Sequence, residues 1–337
     1  MEFNYVYTAC SISLPDRQGL VSRSYCLALR ARSFCPPYKH PMSPITHSTD
    51  TVARVTTLAN ELAESLGLTT SRAFRHIPSE QHPILIKWLH KSSAGNEDIW
   101  PHVISNVCAR FLPSLVAAYK TMPATSGVYW FILVGAVPIA YFAKFMRGPL
   151  ASDLYVFYVK HLLANITWTL ENHDSLRESF RLLMYLMIYA ALYPHTVDPL
   201  PARTKRKLAA WILASGHRSL DDLNARVAGQ QHTKPHAAQC KPCEYAIECQ
   251  SDIVRWAFRL LDLLSGKLST VQFLAKMHII SPWLACGAAQ EHCAQGHPLK
   301  DRRWRECGRC GAQAYCSREH QRLDWPEHRL GCFETNY

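Results

Sequence analysis

Between Cys286 and Cys332 the chain gathers eight side chains able to bind a soft divalent metal: Cys286, Cys293, Cys307, Cys310, Cys316, His320, His328 and Cys332. Six thiols and two imidazoles are enough donors to close two tetrahedral zinc sites. Cys307-Gly-Arg-Cys310 is a Cys-x-x-Cys knuckle, whose short turn points two thiolates at one ion. Cys316 and His320 are four apart, as are His328 and Cys332, so each pair can share one face of a helical turn. Ser317 stands where it can cap one short helix, and Asp324 where it can cap the next. Disulfides in a secreted chain are the competing use of these cysteines. Histidines interleaved at ligand spacing, with no clean signal peptide ahead of them, favour metal.

The run YCSREHQRLDWPEHRLGC, Tyr315 to Cys332, resembles the MYND-type zinc finger. That family carries two Cys-x-x-Cys pairs, then Tyr-Cys-Ser-x-x-Cys-Gln, Asp-Trp, His and Cys, around two interleaved zinc ions. The resemblance implies one zinc on Cys286, Cys293, Cys316 and His320, and a second on Cys307, Cys310, His328 and Cys332. Both are structural, because four protein donors leave no open position. The chain departs from the family pattern at its opening pair, which is spread to six intervening residues with His292 and His297 as alternative donors. It departs again at His320, which replaces a cysteine. The resemblance covers about the last fifty residues. It further implies recognition of short proline-containing peptides on partners such as transcriptional co-regulators, with Tyr315, Gln321 and Trp325 as candidate binding residues. The other reading of Trp325 is a place in the finger's own small core.

A third cluster, His232, His236, Cys240 and Cys243, has metal-binding residue types but no family pattern, and reads more simply as surface loop. The sequence carries no recognisable catalytic constellation. Asn172-His173 lacks the Ser-Cys that completes a methyltransferase motif, and no His-x-Asp iron pair, Gly-rich phosphate loop or Gly-x-Ser-x-Gly elbow occurs. Cys108 falls on the apolar side of a helix, where a thiol is structural.

The elements that must carry these residues are helical. Hydrophobic residues make up 48% of the 337 and charged ones 19%, a globular composition with only 14 glycines, too few for a many-turned β architecture. Val55, Leu58, Leu62 and Leu66 step by three and four towards Gly67, which predicts an amphipathic helix. Further helices are expected at 84–90, 100–119 with a kink at Pro113, 153–170, 175–193, 202–214, 251–264 and 270–279. Residues 229–249 read as a polar loop. The uncharged stretch GVYWFILVGAVPIAYFA, 127–143, is at the lower limit for a membrane span and is expected to be a central helix buried on all sides.

The expected domains are a tail at 1–50, a helical domain at 51–280 and the finger at 286–332. The tail is proline-rich and without periodicity, so it reads as disordered; its arginines give only a faint transit-peptide signal. The fold class is mainly α, an irregular helical array for which armadillo- or HEAT-like packing is one form, followed by a small two-zinc finger.

The net charge is +11, yet from Cys286 onward eight basic residues face seven acidic ones. A nearly neutral finger argues against DNA contact. The expected function is therefore a zinc-binding protein-interaction module in the cytoplasm or nucleus, with nucleic acid and membrane disfavoured as partners. The competing readings are an enzyme with an unrecognised site in the helical body and, more weakly, a nucleic-acid-binding protein using the basic body.

Overall fold

A computed structural model describes residues 49–69, 99–121, 128–165, 173–232, 241–270, 272–273, 286–287 and 305–337. Among them are nine α-helices: α1 (Thr49–Ser65), α2 (Trp100–Thr121), α3 (Val128–Ala136), α4 (Ala140–Met146), α5 (Leu154–Ala164), α6 (His173–Leu192), α7 (Ala202–His232), α8 (Lys241–Leu264) and α9 (Arg318–Gly331). A short 3-10 turn precedes α5, and two two-residue strands, β1 (Arg305–Glu306) and β2 (Ala314–Tyr315), precede α9. The mainly α architecture is as expected. The expected tail lies outside the described residues except at its last two positions, where α1 has begun, as do the helices expected at 84–90 and, beyond Phe273, at 270–279.

α1 packs on α2 and buries Val55, Ala59 and Leu62 completely, with Leu66 just past its end buried as well. It stops where the sequence predicts. Gly67 takes φ 68°, the Leu68 N–H reaches the Ala63 carbonyl at 2.8 Å, and the Gly67 N–H reaches the Glu64 carbonyl at 2.9 Å. This is a Schellman cap, which satisfies carbonyls the helix leaves open. The Tyr129 hydroxyl donates to the Leu66 carbonyl at 2.8 Å, so α3 closes the cap from outside.

The apolar stretch 127–143 departs from expectation. It is two helices, α3 and α4, bent by 98° at a break holding Pro138. Proline has no N–H to donate, and its ring collides with the carbonyl four residues back, so one continuous helix is disfavoured there. Burial is as expected: α3 exposes little beyond Phe131, and Tyr141, Phe142 and Phe145 of α4 are covered. No single helix among the described residues is long and apolar enough to cross a membrane; the bent pair passes on composition alone.

α6 runs through the middle of the body, with Phe180, Leu182, Leu183, Leu186 and Ile188 at 1% exposure or less. It stacks Phe180 on Trp211 of α7 at 5.0 Å between ring centroids. It is tied to α8 by the Arg177–Asp252 ion pair at 2.9 Å. α7 and α8 pack closely along their lengths. A Cβ built on Gly216 lies 2.8 Å from the Ala257 Cβ, so only glycine lets the two helices come this near. Both helices are longer than the sequence suggests. α7 passes Ala214 and ends at His232, and α8 begins at Lys241, so the loop expected over 229–249 is helical at both ends. Pro242 sits in the first turn of α8, where a missing N–H is harmless.

Candidate metal centre

The finger is built on a hairpin and one helix. β1 pairs antiparallel with β2 in the register Arg305 to Tyr315 and Glu306 to Ala314. Between them the knuckle turns tightly: the Cys307 N–H donates to the Gln313 carbonyl and the Gly311 N–H to the Cys307 carbonyl, both at 2.8 Å. Gly311 holds φ 58°, a conformation suited to glycine. The Gly287 N–H bonds the Ala314 carbonyl at 2.9 Å, which brings Cys286 alongside β2.

α9 differs from the two short helices expected. It is one 14-residue helix that continues through Pro326. Ser317 caps it as expected, its hydroxyl accepting the His320 N–H at 3.1 Å. Asp324 lies within α9 and not at a helix start: it is turned inward, 7% exposed, and accepts the Tyr315 hydroxyl at 2.7 Å.

Two donor groups result. Cys307, Cys310, His328 and Cys332 bring their ligand atoms within 4.8 Å of one another, and so do Cys286, Cys316 and His320. The grouping is interleaved, as the sequence resemblance implies. Cys293 and its alternatives His292 and His297 lie outside the described residues, so the first group is seen with three of its donors. His236 and Cys240 of the third cluster also lie outside, and the side chains of His232 and Cys243 are not described.

Bond lengths test whether zinc fits. Zn–S of about 2.3 Å and Zn–N of about 2.0–2.1 Å give tetrahedral edges of about 3.8 Å between two sulfurs and about 3.6 Å between sulfur and nitrogen. In the second group Cys307 Sγ and Cys332 Sγ are 3.7 Å apart, and Cys310 Sγ and His328 Nε2 are 3.6 Å apart. These are zinc-sized edges. In the first group Cys286 Sγ and His320 Nδ1 are 3.6 Å apart, while Cys316 Sγ and His320 Nδ1 are closer, at 2.8 Å. Cys307, Cys310 and Cys332 are all buried, which suits a structural ion closed to water.

Within the second group the donors hydrogen-bond to one another. Hydrogen bonding from the Cys332 thiol holds the Cys310 thiol well below its ordinary range against the opposing effect of burial, helped by His328 and the Ala312 N–H at 3.4 Å. The Cys332 thiol is pushed up by the same contact and by burial. Burial alone lowers His328, but hydrogen bonds to Cys310 and Cys307 outweigh it and the imidazole is raised.

The expected binding residues separate. Tyr315 is fully buried, because β2 turns its ring under α9 onto Asp324 and edge-on to His328, so it cannot offer an aromatic surface to a partner. Gln321 is half-buried. Trp325 is 40% exposed and lies against the His328 ring at 5.9 Å.

The sequence reading missed the residues of α4 that hold the finger. The Tyr141 hydroxyl reaches the carbonyls of Gly331 at 2.8 Å and Phe333 at 2.9 Å, and accepts the Phe333 N–H at 2.6 Å. Lys144 Nζ donates to the Cys310 carbonyl at 3.0 Å and to Thr335 Oγ1. Arg147 pairs with Glu306 at 2.9 Å. Tyr337 packs edge-on to Phe145 and donates to the Cys108 or Tyr141 carbonyl at 3.1 and 3.2 Å. Tyr141, Lys144 and Arg147 follow a step of three, a helical ridge, but nothing local in the sequence marks its target.

Against known proteins, the family model of the MYND finger matches residues 286–332. No match is found among curated proteins or solved structures. By sequence and by side-chain geometry these residues form a MYND-type finger, a zinc-binding module of a kind that generally mediates protein–protein contacts.

Proposed function

We propose that the chain is an adaptor: a helical scaffold whose finger holds two structural zinc ions and recruits a proline-bearing peptide of a partner protein. The observation that carries this reading is the indole of Trp325, 40% exposed yet braced against the ligand His328. An apolar ring fixed at the surface by a metal site is suited to stack on a proline, as aromatic-lined grooves do for extended proline-rich segments. Gln321, one helical turn before it, supplies an amide able to bond the peptide backbone. Tyr315 supports the site from beneath.

The protein acts by binding and not by turnover. Four protein donors on the second zinc leave no position for water or substrate. Its partners are proteins and not nucleic acid or membrane, in keeping with the near-neutral charge of the finger. A thiol-rich zinc module belongs in a reducing compartment, cytoplasm or nucleus; a tagged chain recovered from the secretory route would contradict that placement.

The test is peptide binding with zinc counted in parallel. Wild-type protein should carry two zincs by native mass spectrometry and bind proline-containing peptides weakly. Gln321→Ala should weaken binding about tenfold, the worth of roughly one hydrogen bond, with both zincs retained. Trp325→Ala should weaken it further. Peptides that bind both variants as tightly as wild type would place the partner surface elsewhere.

A further inference from the structure

Lys144 is half-buried on α4, with its ammonium against the zinc knuckle. It donates to the carbonyl of the ligand Cys310 at 3.0 Å and to Thr335 Oγ1. Its Nζ also lies 2.9 Å from where a Cβ on Gly311 would stand, so the knuckle's glycine makes room for it. Both of these acceptors are neutral oxygens. Among the described residues no carboxylate pairs with Lys144, whereas its neighbour one turn on, Arg147, is matched by Glu306. A partly desolvated cation without an anion is unfavourable unless a negative charge lies close by.

The second donor group supplies that charge. A divalent zinc on three thiolates and a neutral imidazole carries roughly one net negative charge, which the surrounding protein must stabilise. We propose that Lys144 is the counter-charge of this centre, so that the helical body, through a residue far outside the finger, sets how tightly the second zinc is held. The ammonium stabilises the anionic zinc–thiolate set over the metal-free one. It does so through the Cys310 backbone, as a positioning residue that touches no metal. In metal sites, partners one shell beyond the ligands commonly change affinity by about tenfold to a hundredfold. The finger and the body are thereby linked: a finger excised from the chain lacks the charge that completes it.

The inference rests on the zinc reading above, and the experiment separates the two. Full-length, zinc-loaded protein is first counted by native mass spectrometry, then its zinc is released to the chromogenic chelator 4-(2-pyridylazo)resorcinol. Wild type without zinc would overturn the zinc reading itself. With two zincs present, Lys144→Gln, which keeps an N–H donor but loses the charge, should release one zinc about tenfold to a hundredfold faster and leave the other unchanged. Lys144→Arg should restore the wild-type rate. Thr335→Val removes the neighbouring contact without touching the charge and should release zinc as wild type does. Wild-type release from Lys144→Gln overturns the counter-charge, and so does a Thr335→Val variant that reproduces the loss. Should Lys144→Gln lose its helical circular dichroism, Lys144→Arg decides: its guanidinium keeps the charge in altered hydrogen-bond geometry, so accelerated release from it overturns the proposal and wild-type release upholds it.

Discussion

Buried Asp324 shows how much one side chain can hold in so small a module. Its carboxylate accepts the Tyr315 hydroxyl at 2.7 Å, tying α9 to β2 between the two donor groups. A hydrogen bond to a charged group contributes about 1.5–3 kcal/mol, and its loss in a buried place leaves the charge less well solvated. Tyr315→Phe should therefore lower the thermal midpoint of the zinc-loaded chain and quicken zinc release, with two zincs still bound. An unchanged midpoint would mean the bond is not formed. At this scale the sequence was informative about chemistry and poor about direction. The ligand types and spacings are local, so the Cys and His groups could be read from the run itself. Whether Tyr315 faces out or in depends on strand register, and a tyrosine beside a cysteine looks the same in both cases. Asp324 misled for a related reason: an aspartate ahead of Trp-Pro has the composition of a helix cap, and only the packed ring beneath it turns it inward.

Among the elements, the hairpin of α7 and α8 depends on a single close approach. The Cβ of any residue replacing Gly216 would meet the Ala257 Cβ at 2.8 Å. Gly216→Val should force the helices apart and cost about 1–3 kcal/mol, the usual range for overpacking a tight interface. Ala257→Gly in the same chain should recover part of it, and a double-mutant cycle of thermal midpoints measures the coupling; purely additive effects would show that the two residues do not touch. α7 runs on through this glycine, past the end expected at Ala214. A glycine late in a periodic run is an ordinary stop signal, but here it serves contact with a helix that begins nine residues past the end of α7. Pro138 acts in the opposite sense. The apolar run 127–143 has no charged residue to mark a boundary, so it reads as one helix, and the 98° bend falls at the break that holds Pro138. The bend is useful to the molecule, since it turns α4 so that Tyr141, Lys144 and Arg147 meet the finger.

At the scale of the whole molecule, the described residues belong to one compact unit, and the finger within it is docked as well as folded. Tyr141 bonds the backbone on both sides of Cys332, α9 packs on α2, and Tyr337 reaches the Cys108 carbonyl. These contacts join residues about 190 to 230 positions apart, and no pattern in a single sequence records them. Removing the metal should separate two kinds of dependence. A small zinc module folds on its ion, whereas the body has its own core of buried Leu, Phe and Tyr side chains. Stripping zinc should therefore cost little helical circular dichroism beyond α9. Hydrogen exchange should nonetheless rise in α2 and α4 as well as in 305–332, because those helices lose the surface that covers them, while α7 and α8 stay protected. Exchange that rises in the finger alone would show that the docking survives without metal. Exchange that rises throughout α7 and α8 would show that the body has no stability of its own. Tyr141→Phe sharpens the measurement: it removes the hydroxyl that grips Gly331 and Phe333 but leaves every zinc ligand in place. With both zincs bound, it should raise exchange in α4 and the last turn of α9 and spare the knuckle between Cys307 and Cys310.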